Sequence, residues 1–277
     1  MCIIFAYLGS HDQDSDYSLV LASNRDENYD RPALNAAPWT EDPTIIGGRD
    51  MAEGCGNGSW MVISPQRKIL GLLLNLPGNQ KEHAKSRGKI VEDLVKHDWG
   101  SVEQYVDSIK AYSKTTNDFA LISADFSKPE PVIQAFNNVT NNLETCNSTY
   151  LGFGNSLPDV PLKKVEAGKE RLRNICPRLC KISKKDELID ELITLLRWDQ
   201  RHLPDAELQR RNPRAYELLS SVFVSVPAFR YGTRTHSIVL VSKSGHTDFI
   251  ELTMQPPIDP SQPQWTRTDF HFEPCQP

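Results

Sequence analysis

The chain has 277 residues, of which 39% are hydrophobic and 24% charged, with a formal net charge of −5. That acidity excludes a nucleic-acid binder held by a basic surface, because the pairs Lys163-Lys164, Lys184-Lys185 and Arg210-Arg211 are too short to reverse it. The apolar content suffices for one large core, so a single domain over 1–277 is expected, and no run approaches the ~20 apolar residues of a membrane span.

In chain order, 3–8 and 17–23 are short apolar runs rich in Ile, Val, Leu and aromatics, separated by a polar loop. They predict a buried hairpin that ends at Asn24-Arg25-Asp26-Glu27 and returns those residues to the N-terminus. Residues 30–42, with Pro32, Pro38 and Trp39, read as loop, followed by a strand end and glycine turn at Ile45-Ile46-Gly47-Gly48-Arg49-Asp50. A second hairpin is predicted over 60–64 and 69–75. Helices are predicted over 85–97, with Ile90, Val91, Leu94 and Val95 on one face, and over 102–112 behind a Ser101/Gln104 capping box. Strands resume at 119–123, 132–136 and 149–153. Further helices are expected at 162–179, at 186–197 capped by Ser183, and within 214–221. The chain closes with strands at 236–241, 247–253 and 265–272. Two groups of strands with helices mostly between them suit an α+β fold, a four-layer αββα sandwich.

Six cysteines, Cys2, Cys55, Cys146, Cys176, Cys180 and Cys275, follow no secretory signal. They are expected to be reduced, in the cytosol or an organelle matrix. Cys176 and Cys180 have no matching His or Cys pair at ligand spacing, so no metal centre is predicted. No cofactor is required by any motif.

Chemistry is expected first at Cys2. Removal of Met1 before a small residue would leave a thiol and an α-amine of pKa about 7.7–8.0 on one residue, the arrangement of N-terminal-nucleophile catalysis. Arg25 nearby would favour the thiolate. The plain alternative is a buried apolar cysteine beside a charged turn. Asn75, in Leu74-Asn75-Leu76-Pro77-Gly78, could present its amide to an oxyanion. Gly152-Phe153-Gly154-Asn155-Ser156 is a second strand end with an amide and close-approach glycines. Tyr231-Gly232-Thr233-Arg234-Thr235-His236 puts Arg234 where it could bind a carboxylate or phosphate. Each has an ordinary structural alternative: a strand cap, a glycine turn, a surface arginine and a structural His236.

Taken together, Cys2, Ser23-Asn24-Arg25-Asp26-Glu27, Gly47-Gly48-Arg49-Asp50, Gly58-Ser59-Trp60, Gly152 to Ser156 and Tyr231-Gly232-Thr233-Arg234 resemble the NRDE family of transport and Golgi organisation proteins, along the whole chain. The resemblance implies an N-terminal-nucleophile hydrolase fold. It implies Cys2 as nucleophile, with Arg25, Asp26, Asn75, Asn155 and Arg234 as catalytic partners. Asn24, Glu27, Arg49, Trp60, Gly154, Thr233 and His236 would contact ligand. Related hydrolases separate the arginine and the acid on the second strand, whereas Arg25 and Asp26 are adjacent here, leaving Asp26 or Glu27 for the acid. The family further implies handling of haem or acyl-CoA, lipid homeostasis, and a role in Golgi organisation and secretion. Its members are placed in the cytoplasm, at mitochondria and at the Golgi, with peripheral membrane association. Cys176-Pro177 is the kind of dipeptide found in haem-responsive motifs, with Cys2 and His236 as equal candidates for an axial ligand. The alternative function is an N-terminal-cysteine amidohydrolase or thioesterase.

Overall fold

A computed structural model of the chain describes residues 2–274. The processing expected at Met1 and the thiol of Cys275 lie outside the described residues. Two compact units emerge, Met1–Asp30 with Ser148–Pro277, and Arg31–Asn147. Each is an antiparallel sheet with helices, the α+β class read from the sequence.

The first unit opens with β1 (Ile3–Tyr7) and β2 (Tyr17–Asn28), paired with Ile3 opposite Asn24 and Tyr7 opposite Val20. Every residue of β1 is buried, as a continuous apolar strand requires. The second strand runs longer than predicted. Asn24, Arg25, Asp26 and Glu27 are strand residues and not the turn beyond it, because a strand from far along the chain pairs with them.

The second unit is a meander in which every neighbour pairs antiparallel: β3 (Ala33–Pro38), β4 (Ile46–Asp50), β5 (Met61–Ser64), β6 (Ile69–Asn75), β7 (Phe119–Asp125), β8 (Val132–Asn137) and β9 (Asn142–Cys146). Between β6 and β7 lie α1 (Gly88–Lys96) and α2 (Val102–Ser113). Their apolar faces join Leu73, Phe119, Leu121 and Phe136 in one core. The Ser101 side chain accepts the Gln104 amide at 3.3 Å, the cap expected from the spacing. Neither edge strand was legible in the sequence. β3 carries Pro38 at its end, which an edge tolerates and a central strand does not. β9 is largely exposed, so burial imposes no apolar pattern on it.

The first unit resumes with β10 (Tyr150–Phe153), α3 (Lys163–Ile175), α4 (Lys185–Leu196), α5 (Ala206–Arg211), β11 (Ser225–Val226), β12 (Tyr231–Ser242), β13 (Thr247–Met254) and β14 (Trp265–Phe272). The sheet order is β10-β1-β2-β12-β13-β14, with β11 on β12. Phe5, Tyr17, Leu172, Leu192, Leu195 and Ile238 share its core.

Three helix expectations need correction. The helix predicted over 162–179 stops at Ile175 and tightens into a 3-10 turn at Cys176–Arg178, where Pro177 cannot donate to the α-helical ladder. Ser183 does not cap α4; it lies in a 3-10 turn, and the preceding Lys184 caps through no side chain. Residues 214–221 form turns, and the helix lies earlier, where the Asp205 carboxylate accepts the Leu208 amide at 2.9 Å. Among the described residues no helix is long and apolar enough to cross a membrane.

Candidate functional site

The β1–β2 register brings the start of the chain against Arg25 and Asp26. The Asp26 backbone amide faces the Cys2 sulfur and acts to lower its pKa. Cys2 is partly exposed, whereas Arg25 and Asp26 are buried. Burial pushes the Cys2 thiol up, and the Asp26 carboxylate pushes it further. Arg25 acts in the expected direction, towards the thiolate, but burial outweighs it. The sulfur therefore rests as a thiol, and its use as a nucleophile would require a base.

Burial also raises the Asp26 carboxyl, opposed by the Lys164 charge and by a hydrogen bond from Thr233. Thr233 Oγ1 donates to Asp26 Oδ1 at 2.6 Å and accepts the Val224 amide at 2.9 Å. The pairing of β2 with β12 slips here: Thr233 faces Asp26 and Thr235 faces Arg25, so Arg234 is the extra residue of a β-bulge. That irregularity re-aims Arg234 along the sheet end, where Nη1 donates to the carbonyls of Asn28 at 3.0 Å and Tyr29 at 3.5 Å. The guanidinium is buried. Glu27, half-buried between the buried Asp26 and the exposed Asn28, accepts the Asn28 amide at 2.8 Å.

Asn24 and His236 belong to one packing network. Asn24 Nδ2 donates to the carbonyls of Leu196 at 2.7 Å and Val222 at 3.1 Å, and its Oδ1 meets His236 Nδ1 at 2.6 Å. The His236 ring stacks on Trp265 with centroids 4.6 Å apart and planes 9° from parallel. Burial pushes its pKa down to about 3, helped by the Arg197 charge, so the imidazole is neutral. These two residues tie β2 and β12 to the end of α4 and the 222 segment.

The glycines after β10 have a packing reason. A Cβ on Gly152 would lie 2.9 Å from Val165 Cγ1, and one on Gly154 2.7 Å from Val165 Cγ2. It is α3 that approaches the backbone there. Asn155 is buried, and its carbonyl accepts Arg211 Nη1 at 2.7 Å. Cys176 is buried in the apolar cluster with Leu172 and Leu179, which raises its thiol pKa.

Sequence reasoning missed Lys164. It lies in the first turn of α3, its side chain is wholly buried, and its Nζ has no hydrogen-bond partner among the described residues. Burial lowers its pKa, while the carboxylates of Asp26 and Asp205 act to raise it. A signal was available. Residues 164, 168, 172 and 175 are at core spacing on this helix, so a lysine stands where an apolar residue belongs. Cys2, Arg25, Asp26, Thr233 and Lys164 thus form a charged cluster whose only partly exposed member is Cys2.

The remaining predicted residues lie in the second unit. Asn75 is exposed at the end of β6, opposite Phe119. Arg49 stacks 3.3 Å above the Trp39 ring, pairs with Glu41, and donates to the Asn57 carbonyl at 2.8 Å. Trp60 lies on Gly48, where a Cβ would come within 2.4 Å of its ring. A cavity of about 350 Å³ in this unit is lined by Arg67, Ile69, His97, Trp99 and neighbours, and contains none of the predicted site residues.

These features define an α+β protein of two seven-stranded antiparallel sheets, with a cysteine at the start of the chain held against a buried arginine, acid and lysine. The chain belongs to the Transport and Golgi organisation 2 family, whose model matches residues 1–256. It is 36% identical to Transport and Golgi organization protein 2 of Drosophila melanogaster over 281 residues, covering 99% of this chain and 98% of the fly protein. It is 31% identical to the human homolog of that protein over 278 residues, covering 98% and 99%. An uncharacterized protein of Saccharomyces cerevisiae is 27% identical over 300 residues, covering 91% of each.

Proposed function

We propose that this protein handles an amphipathic, anionic small molecule at the Cys2 centre, haem or an acyl-CoA, within a role in Golgi organisation and secretion. The carrying observation is the partly exposed Cys2 at the edge of a cluster that holds two buried basic side chains, Arg25 and Lys164. A basic floor beside an apolar core suits a ligand with an apolar body and an anionic end. The names of the fly and human relatives support the Golgi role. The scaffold in this reading is an N-terminal-nucleophile αββα sandwich. The protein works in the cytoplasm, with peripheral association at Golgi or mitochondrial membranes. The test is titration of the full-length protein with palmitoyl-CoA, and separately with haemin, against a Cys2→Ala variant. Saturable binding of one ligand, weakened at least tenfold in the variant, is expected; absence of saturable binding of either refutes the proposal.

A second reading is favoured by the place of the Cys2 sulfur, partly exposed beside the buried Arg25 and Asp26. With Met1 removed, the α-amine of Cys2 would take the thiol proton while sulfur attacks an amide or thioester carbonyl. The collapsing intermediate would release an amine or thiol that receives that proton, and water would then cleave the acyl-enzyme. Asn155 is the amide for the oxyanion on this unit. Intact-mass analysis and acyl-substrate turnover decide it: a retained Met1, or equal rates in Cys2→Ala, ends this reading.

A further inference from the structure

On the first unit, well along the chain from Cys2, the pairing of β13 with β14 sets Asp248 opposite His271, and the turn before β13 presents His246. Asp248 is buried, and its Oδ1 lies 3.0 Å from His246 Nε2 and 2.5 Å from His271 Nδ1. The other nitrogen of His246, Nδ1, lies 3.2 Å from Glu273 Oε1. With its proton on Nδ1, on the side of the Glu273 carboxylate, His246 turns a lone pair towards Asp248 through Nε2. Two imidazole nitrogens and a carboxylate oxygen therefore converge, all within 4.8 Å of one another. Lone pairs that face one another need an electrophile between them, a proton or a metal ion.

We propose that His246, Asp248 and His271 form a binding site for a divalent transition-metal ion of the zinc class. Two imidazoles with one carboxylate suit Zn²⁺ and its neighbours, whereas calcium and magnesium take oxygen ligands. Bonds of about 2.0–2.1 Å require the three donors to draw closer. The half-exposed His271, near the end of β14, can rotate to allow it. Glu273 orients His246 from behind, the usual second partner of a metal-bound imidazole. Lys185 is the competitor: its Nζ lies 3.2 Å from both Asp248 oxygens. It stands at the start of α4 with a third of its side chain exposed, so it can swing into solvent when a metal ion enters. Bound metal would pin the ends of β13 and β14 to the turn that precedes them.

The test is calorimetric titration of chelator-treated, full-length protein with Zn²⁺, comparing wild type with His271→Ala, His246→Ala/His271→Ala and Lys185→Met. Wild type should bind an equivalent that weakens at least tenfold in His271→Ala and disappears in the double variant. Lys185→Met should bind it more tightly, an effect that a purely structural lysine would not produce. Cysteine thiols also bind zinc, so Co²⁺ is the control; this equivalent should show ligand-field bands without thiolate charge transfer. Unfolding midpoints measured in chelator should match between wild type and His271→Ala, which keeps a folding defect separate. An isotherm unchanged in the double variant, no saturable equivalent in wild type, or weaker binding in Lys185→Met overturns the proposal.

Discussion

The hydroxyl of Thr233 donates to the Asp26 carboxylate at 2.6 Å while accepting the Val224 amide at 2.9 Å. One side chain from β12 thereby fixes both the acid beside Cys2 and the entry of the 222–226 segment. Thr233→Val should leave a buried amide unpaired and take a donor from Asp26, at a cost of about 1–3 kcal/mol for each orphaned group. Thr233→Ser keeps the hydroxyl and should stay within about 1 kcal/mol of wild type. Urea midpoints of the two variants measure the difference; equal midpoints would mean that the hydroxyl carries no structural weight.

Lys164 is expected to behave as a group retained for chemistry and not for stability. Its amine is buried without a hydrogen bond, so Lys164→Met should hold stability level or raise it. The same change should weaken Cys2-dependent ligand binding at least tenfold, because one of the two basic side chains is lost. A drop in stability above about 1 kcal/mol would instead identify Lys164 as the structural counter-ion of Asp26.

The acid limb of stability should carry the signature of His236. Its pKa falls from 6.5 in the unfolded chain to about 3 on folding, so the unfolded state binds the proton first. Its contribution is complete above about pH 6.5 and is lost as pH falls towards about 3, at roughly 1.4 kcal/mol per unit. His236→Asn, which offers Asn24 a donor in place of Nδ1, should lower the midpoint at pH 7 and flatten the slope between pH 6 and 4. A variant with the wild-type acid slope would assign that limb to other groups.

The close approach of α3 to the sheet can be tested at Gly168. A Cβ there would lie 2.1 to 3.0 Å from three ring carbons of Phe5. Phe5 is wholly buried and cannot move aside freely, so Gly168→Ala should cost about 1–3 kcal/mol through overpacking. Combining it with Phe5→Leu should recover part of that loss, a coupling that thermal melts of the double-mutant cycle would read. Strict additivity would show that the helix yields instead.

Sequence alone determined the elements whose pattern is imposed by burial. The apolar runs of β1, β6 and β7, and the stripes of α1 and α2, were legible because each buries one or both faces. It also brought Cys2 together with Arg25 and Asp26, since a hairpin is a local fold whose register follows from the loop between its strands. Tertiary structure decided the rest. Edge strands β3 and β9 carry little apolar signal because little of them is covered. Arg25-Asp26-Glu27 became strand because β12, far along the chain, supplies their partners. Lys164 meets Asp26 through helix docking, and His271 joins His246 and Asp248 through cross-strand register, juxtapositions of residues far apart along the chain.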